Sequence, residues 1–506
     1  MVNDGGAGAA LARGDVEGAL AIWQRVTARR DATPGELLGH ATLLFRLYRA
    51  EDSHDLLERL LVHPAAGVEE WLVVARLWFE RGRFDRCARF SGRALAAVPD
   101  SPDIGAMHAA ALERSGDKEG AREVIGAFLV RHPEHARLVR LLAHIERGDG
   151  DFEKARARLE DQLRRFSGGE DWRLRYELAA VLDRLGEHAG AMRELEMAKA
   201  ELEPQSQRYR SQWRSMTERQ WAVTQSLTRE RLARWADAGS VAQAGDEREI
   251  CLMGGFPRSG TTLLEKVIST HAGCIGTDES GVLATQFRDP LVFGAGSAKE
   301  VVTELDAFHA DDLAAGREEY FRCTADLLGE DPGGRLLIEK EPLLTADLAV
   351  PLRLFPDARV LMPLRDPRDV VVSYFFTMVP ASRDSVAAAT LEETCRYYAE
   401  VMRHWLLLRE RLDAGRWQWM ESRYEDLIAA AEVQTRRLAG FLGLEWEEGM
   451  MAHHRRAGRA VGTPTYDDVS KPLYTRSLAR WRNYERWLEP HLGMLEKHCA
   501  ALGYEA

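Results

Sequence analysis

The 506-residue sequence predicts an all-α repeat superhelix followed by an α/β domain built on a central parallel sheet. Three observations carry that expectation. A glycine-led phrase recurs through the first 200 residues at a nearly constant interval. From about residue 249 onward, strand-like apolar runs alternate with longer helical stretches, as they do in parallel α/β domains. Between the first of those strands and the next helix lies a loop bounded by Gly255 and Gly260.

The repeats come first. Gly14, Gly82, Gly116, Gly150 and Gly186 open the phrases RGDVEGA, RGRFDRC, SGDKEGA, DGDFEKA and LGEHAGA. A small residue follows five positions later each time: Ala19, Cys87, Ala121, Ala155 and Ala191. Gly82, Gly116 and Gly150 are 34 apart, Gly150 and Gly186 are 36 apart, and Gly14 and Gly82 are 68 apart. The last gap leaves room for one degenerate unit near Tyr48. Pro99 and Pro133 close two units, again 34 apart. A helix–turn–helix of this length, with Gly at the turn, a small residue at the crossing and Pro at the end, resembles the tetratricopeptide (TPR) repeat. The resemblance covers residues 5–200. It implies a right-handed superhelix whose concave face offers a site for a protein or peptide partner. A generic helical bundle with chance glycines is the alternative, and five phrases in register argue against it.

Residues 201–248 read as a helical connector ending in small-residue breaks at Ala238-Gly239-Ser240 and Gly245-Asp246. Beyond it the runs ICLMGG, RLLIEK, RVLMPLR and WQWMESRYEDL read as strands of a domain spanning 249–506. In such sheets ligands sit past the carboxyl ends of the strands.

Composition excludes several function classes. A formal net charge of −12 argues against a general nucleic-acid or membrane-surface binder, so an anionic ligand requires a local basic cluster. The six cysteines form no C-x-x-C pair, which supports neither a zinc site nor a disulfide scaffold. The N-terminus has no basic segment followed by an apolar core, and no apolar run reaches membrane-spanning length. The expectation is a reducing, cytoplasmic protein without a metal.

Gly255 and Gly260 have the spacing of the phosphate-binding P-loop, G-x-x-x-x-G-K-[ST], but Thr261 stands where that motif has its lysine. Backbone N–H groups at a helix N-terminus still suit an anion. The hydroxyls of Ser259, Thr261 and Thr262 add donors and Arg258 adds charge. Without the lysine, hydrolysis of a nucleoside triphosphate is disfavoured. A tight strand-to-helix turn with no ligand is the plain alternative. A second cluster, RDPRDVVVS, follows the strand VLMPL. Arg365 leaves the strand end and Ser373 lies about two turns along the next helix, so the two can pinch a second phosphate. Arg368 and Asp369 suit a local ion pair or caps.

PRSGTT followed by a strand and RDPRDxxxS resembles the two nucleotide signatures of sulfotransferases that use 3′-phosphoadenosine 5′-phosphosulfate (PAPS). The resemblance implies a P-loop-like α/β sulfotransferase domain. It implies that Arg258, Ser259, Gly260, Thr261 and Thr262 grip the 5′-phosphosulfate, and that Arg365 and Ser373 bind the 3′-phosphate. The order of repeats then catalytic domain resembles the bacterial TPR-sulfotransferases, and the catalytic half resembles the protein-tyrosine sulfotransferase branch. Glu279, 21 residues after Arg258 in GTDESG, matches that branch's catalytic glutamate. Lys340 in IEKEP matches its Lys-x-Pro lysine, and Tyr424 in RYEDL matches the aromatic beside the adenine. Ser470 and Lys471, in VSKPLYTRSLARW, match a segment that covers the donor phosphates.

The chemistry suits these residue types. Charge grows on the bridging oxygen as it leaves, so a lysine aimed there stabilises the transition state. An acceptor hydroxyl loses its proton, so a carboxylate within reach serves as general base. Glu279 also suits a helix cap, and Lys340 stands between Glu339 and Glu341, either of which offers it an ion pair. Where that branch places basic residues for acidic peptides, this chain has Gly281 and Thr285, with Arg288 out of register. That leaves a peptide tyrosine, a small phenol, an alcohol or an amine open as acceptor. Two other function classes compete: a P-loop kinase or NTPase, and a catalytically silent TPR scaffold with a nucleotide-binding domain.

Overall fold

The computed structural model describes residues 6–166, 168, 171–242, 246–383, 385–412, 416–455 and 476–505. It comprises two compact units. One holds residues 1–170 with 322–331, and the other holds 171–321 with 332–506.

The first unit is helical. Its helices come in pairs such as Val68–Glu80 with Phe84–Ala97, Pro102–Arg114 with Lys118–Leu129, and Ala136–Asp149 with Phe152–Arg165. The turns explain the repeated phrase. Gly14, Gly82, Gly116 and Gly150 all have φ between +66° and +95°, a region that costs other residues free energy. Tyr48 takes the same conformation at φ +52°, filling the place of the degenerate unit. In two phrases the Asp after the glycine caps the next helix: Asp15 accepts from Gly18 N–H at 2.8 Å and Asp117 from Gly120 N–H at 2.9 Å. Ala19, Cys87, Ala121 and Ala155 are fully buried, which lets paired helices approach closely. Trp71, Val74, Trp78, Cys87, Phe90 and Ala94 form part of one core, and Ile125, Phe128, Leu138 and Leu141 part of the next.

The second unit opens with the helices Asp171–Arg184, His188–Ser206, Arg210–Ser226 and Arg229–Ala242. Gly186, with φ +81°, joins the first two. The sheet follows, with strands β1 (Ile250–Met253), β2 (Cys274–Gly276), β3 (Leu336–Lys340), β4 (Arg359–Leu364) and β5 (Trp419–Arg423). All neighbours run parallel, in the order β2-β3-β1-β4-β5. Every residue of β1 and β3 is buried, as a parallel sheet covered on both faces requires. Edge strand β5 alternates buried and half-buried residues instead. The helix Thr261–Ser269 lays Leu263, Leu264, Val267 and Ile268 on Cys251, Met253, Ile338 and Leu361. Each such side chain, fully buried, contributes about 1.5–3 kcal/mol. That packing fixes the helix, and with it the loop in front of it. No described helix is long and apolar enough to cross a membrane.

Candidate active site

The strand order places the site. The chain leaves β1 toward β2 on one side and leaves β4 toward β5 on the other, while β1 and β4 are neighbours. A crevice therefore opens between their carboxyl ends. The loop 254–260 follows β1, and Arg365 follows β4.

The loop is held by Thr345. The Thr345 hydroxyl accepts from Gly255 N–H and donates to Gly255 C=O, each at 2.7 Å. A Cβ on Gly260 would lie 2.7 Å from the Tyr424 ring, and Gly260 has φ +93°, so glycine is required on both counts. The helix Thr261–Ser269 begins there with no side-chain cap, leaving its first N–H groups for a ligand. Ser259 Oγ is buried and makes no hydrogen bond among the described residues. Such an atom in a native site calls for a partner, and an anion supplies one.

The end of β3 carries the second element. Lys340 pairs in register with Met253, the last residue of β1, which sets it beside the start of the loop. Its ammonium is fully buried and has four neighbours. Nζ lies 3.1 Å from Asp278 Oδ1, 3.1 Å from Glu279 Oε1, 3.3 Å from Glu265 Oε2 and 3.3 Å from Thr262 Oγ1. Burial alone would lower the lysine pKa. The charges of Glu265, Glu279 and Asp278 outweigh it and hold the group above its ordinary value, so it stays an ammonium. Burial pushes the Glu265 carboxyl upward, against the pull of Lys340.

The turn that presents Glu279 wraps the end of β3. Asp278 N–H bonds Glu265 Oε1 at 2.8 Å, and Glu279 N–H bonds Lys340 C=O at 3.1 Å. Ser280 Oγ donates to the Glu339 carboxylate at 3.0 Å, and Tyr320 O–H donates to it at 2.6 Å. Burial raises the Glu339 pKa, and those two hydroxyls partly offset the rise. Among the described residues five non-glycines have positive φ, and four lie here: Arg258, Asp278, Glu279 and Ala479. Each costs about 1–3 kcal/mol, and such strain persists where surrounding bonds hold a functional geometry.

Arg258 Nε donates to Ser373 Oγ at 3.1 Å, and Arg365 Nη1 donates to Arg258 C=O at 3.2 Å. Arg258, Arg365 and Ser373 therefore form one cluster spanning both loops. Arg365 Nε is buried without a hydrogen bond among the described residues. Arg368 pairs with Asp366 at 2.9 Å, and Asp369 accepts the N–H groups of Ala479 and Trp481 at 2.8 Å each. The Arg365 guanidinium lies 5.1 Å from the Tyr424 ring centroid and also donates to Ser477 C=O. Tyr424 O–H bonds Ser477 Oγ at 2.7 Å. The segment from Ser477 to Trp481 thus lies against the second cluster. Ser470 and Lys471 fall outside the described residues.

All the other sequence-derived site residues meet in this crevice. The sequence does not single out Glu265, Thr345, Ser280, Tyr320 or Ser477, and it offers Glu339 only as an ion-pair partner of Lys340. Glu265 carried a faint signal, a carboxylate inside the apolar stretch TTLLEKVIS. Lys340 pairs with Glu265, Asp278 and Glu279, and no hydrogen bond ties it to Glu339 or Glu341. Arg288 is bound to Asp347 at 2.9 Å and Asp289 at 2.7 Å.

Residues 251–448 match the family model described as Sulfotransferase family. An uncharacterised protein of Aquifex aeolicus is 26% identical over 250 residues, 48% of this chain and 32% of that protein. Protein-tyrosine sulfotransferase 2 of Gallus gallus is 23% identical over 246 residues, 46% of this chain and 63% of that protein. The protein-tyrosine sulfotransferase of Drosophila melanogaster is 24% identical over 257 residues, 46% of this chain and 47% of that protein. The chain spans about half the length of the curated relatives it matches. Among solved structures, the sulfotransferase domain of a Synechococcus olefin synthase aligns at 20% identity over 46% of this chain and 88% of that one, with a TM-score of 0.31.

Proposed function

On the premise that residues 251–448 are a sulfotransferase-family domain, we propose that this chain moves a sulfuryl group from PAPS to a hydroxyl or phenol acceptor. The observation that carries the reading is the Lys340 ammonium, 3.1 Å from Glu279 and 3.3 Å from the Thr262 hydroxyl. One point joins a carboxylate base, a buried cation and the open N-terminus of a helix.

PAPS supplies, when bound, the phosphosulfate linkage whose S–O bond is broken. Ser259, Gly260, Thr261 and Thr262 hold its 5′ end; the unpartnered Ser259 Oγ and the uncapped helix fit that role. Arg258, Arg365 and Ser373 hold the 3′-phosphate, for which the buried Arg365 Nε is a ready donor. Tyr424 lies beside the adenine, and Ser470 and Lys471 cover the phosphates. Glu279 takes the acceptor's proton as its oxygen bonds to sulfur. The electron pair of the broken bond goes to the bridging oxygen, where Lys340 meets the charge. Because its neighbours raise its pKa, Lys340 contributes no alkaline limb to the rate profile below the ordinary lysine range.

Within this reading residues 5–200 are a TPR array whose concave face takes a protein or peptide, 201–248 a connector and 249–506 the catalytic domain. The cytoplasm is its compartment.

The test is transfer of radiolabelled sulfuryl from PAPS to a panel of phenols and alcohols. Labelled ester with matching release of 3′-phosphoadenosine 5′-phosphate supports the reading. Magnesium-dependent ATP turnover with no label transfer supports a kinase instead. Ser280 acts through Glu279 as a positioning residue. Ser280→Ala is expected to lower kcat roughly tenfold with the donor KM unchanged, since it frees the turn but touches no donor group. Ser280→Thr, which keeps the hydroxyl, restores most of the rate; a parallel rise in donor KM would contradict this role.

A further inference from the structure

A cleft of about 540 Å³ lies between the helix Arg210–Ser226, the segment Val292–Phe293 and Arg383. That volume suits a small organic molecule. Ser211, Ser215 and Arg219 recur every fourth residue, so they share a helix face, with Gln212 beside them. Phe293 stands in the same cleft, an aromatic left 42% exposed. The Arg383 guanidinium carbon lies 4.8 Å from its ring centroid. Stacking of this kind orients the planar fork and leaves its N–H edges for a ligand.

Charge identifies the occupant. Arg383 makes no hydrogen bond or ion pair with another described residue. None of the described lining residues is acidic, in a chain of net charge −12. Arg219 is engaged elsewhere. It donates to Val292 C=O and to Ala295 C=O, the latter at 2.8 Å, and so ties the helix to the wall carrying Phe293. A cation without a counter-charge among the described residues, above an exposed ring and flanked by hydroxyl and amide donors, suits a carboxylate on an apolar body. A guanidinium fork grips a carboxylate with two parallel bonds.

Two walls of the cleft are joined along the chain to elements of the active site. Val292 and Phe293 lie on the segment leaving the Glu279 turn, and Arg383 lies beyond the helix Pro367–Phe375 that carries Ser373. Arg288 is the sole cation in the sequence between Glu279 and Phe293, and Asp347 and Asp289 neutralise it. We propose that this cleft binds the carboxylate of a small organic acid and that, on the sulfotransferase reading above, the acceptor is a hydroxy or phenolic acid anchored by Arg383.

The experiment is calorimetric titration of the full chain, saturated with 3′-phosphoadenosine 5′-phosphate, with 4-hydroxyphenylacetate and 4-hydroxybenzoate beside their neutral amides. The acids are expected to bind about tenfold tighter than the amides, the increment of one charge-assisted fork. Arg383→Gln removes that preference, while Arg383→Lys, which keeps the charge but not the fork, retains part of it. Equal affinity of acid and amide overturns the proposal, as does an acid preference that survives Arg383→Gln. The same titration of the protein without nucleotide separates the two claims. If the bisphosphate fails to bind but the acid preference persists, the donor reading falls and the cleft stands.

Discussion

Lys340→Met is expected to lower kcat by about 10²–10³, the usual effect of removing one group aimed at developing charge. The same change destabilises the fold. Glu265, Asp278 and Glu279 surround the ammonium at 3.1–3.3 Å, and its loss leaves them facing one another. Breaking a buried pair on one side costs about 3–5 kcal/mol. The pH dependence separates this from a simple packing defect. Burial raises the folded-state pKa of Glu265 above its ordinary 4.5, to about 7, so the folded protein favours the protonated carboxyl. Its contribution to stability is present below 4.5 and lost as pH rises through 7. Without Lys340 to draw that value down, the loss extends to higher pH and deepens. Melting curves from acid to neutral pH should therefore show the variant close to the parent in acid and well below it at neutrality. A constant gap across that range would mean that Lys340 is not paired with these carboxylates.

Glu279→Gln is expected to lower kcat by about 10²–10⁴, the range for loss of a positioned general base. Glutamine preserves the side-chain length and the backbone bond from Glu279 N–H to Lys340 C=O. The strained turn should survive, and the affinity for 3′-phosphoadenosine 5′-phosphate should remain within about twofold of the parent, since the donor loop is untouched. Retained kcat, compared at saturating donor and acceptor, would remove Glu279 from the chemistry. A loss confined to donor affinity would make it a binding group instead.

Much of this site was readable because it depends on backbone geometry that few residues tolerate. Gly255 and Gly260 mark the loop through positive φ and close approach. The repeat glycines mark their turns for the same reason, and Tyr48 shows that a non-glycine can occupy that conformation while hiding the unit from a glycine count. Strand β2 escaped notice because three residues, Cys274–Gly276, show neither alternation nor a sustained apolar run. The network around Lys340 escaped for a different reason. Glu265 reaches Lys340 from a helix, while Ser280 and Tyr320 reach the adjacent Glu339 from a turn and a second helix, contacts between segments far apart in the chain. The motif assigns Arg258 to the first loop, and in the structure its side chain reaches Ser373 in the second cluster.

The most direct test of the account is calorimetric titration with 3′-phosphoadenosine 5′-phosphate beside ADP and ATP, without metal, on the parent and on Arg365→Ala. The bisphosphate is expected to bind at least about a hundredfold tighter than ADP, as two charge-assisted phosphate contacts provide. Arg365→Ala is expected to erase most of that difference, because the proposed 3′-phosphate site includes the buried Arg365 guanidinium. Equal affinity for the bisphosphate and ADP, or binding of ATP alone and only with magnesium, would contradict the account.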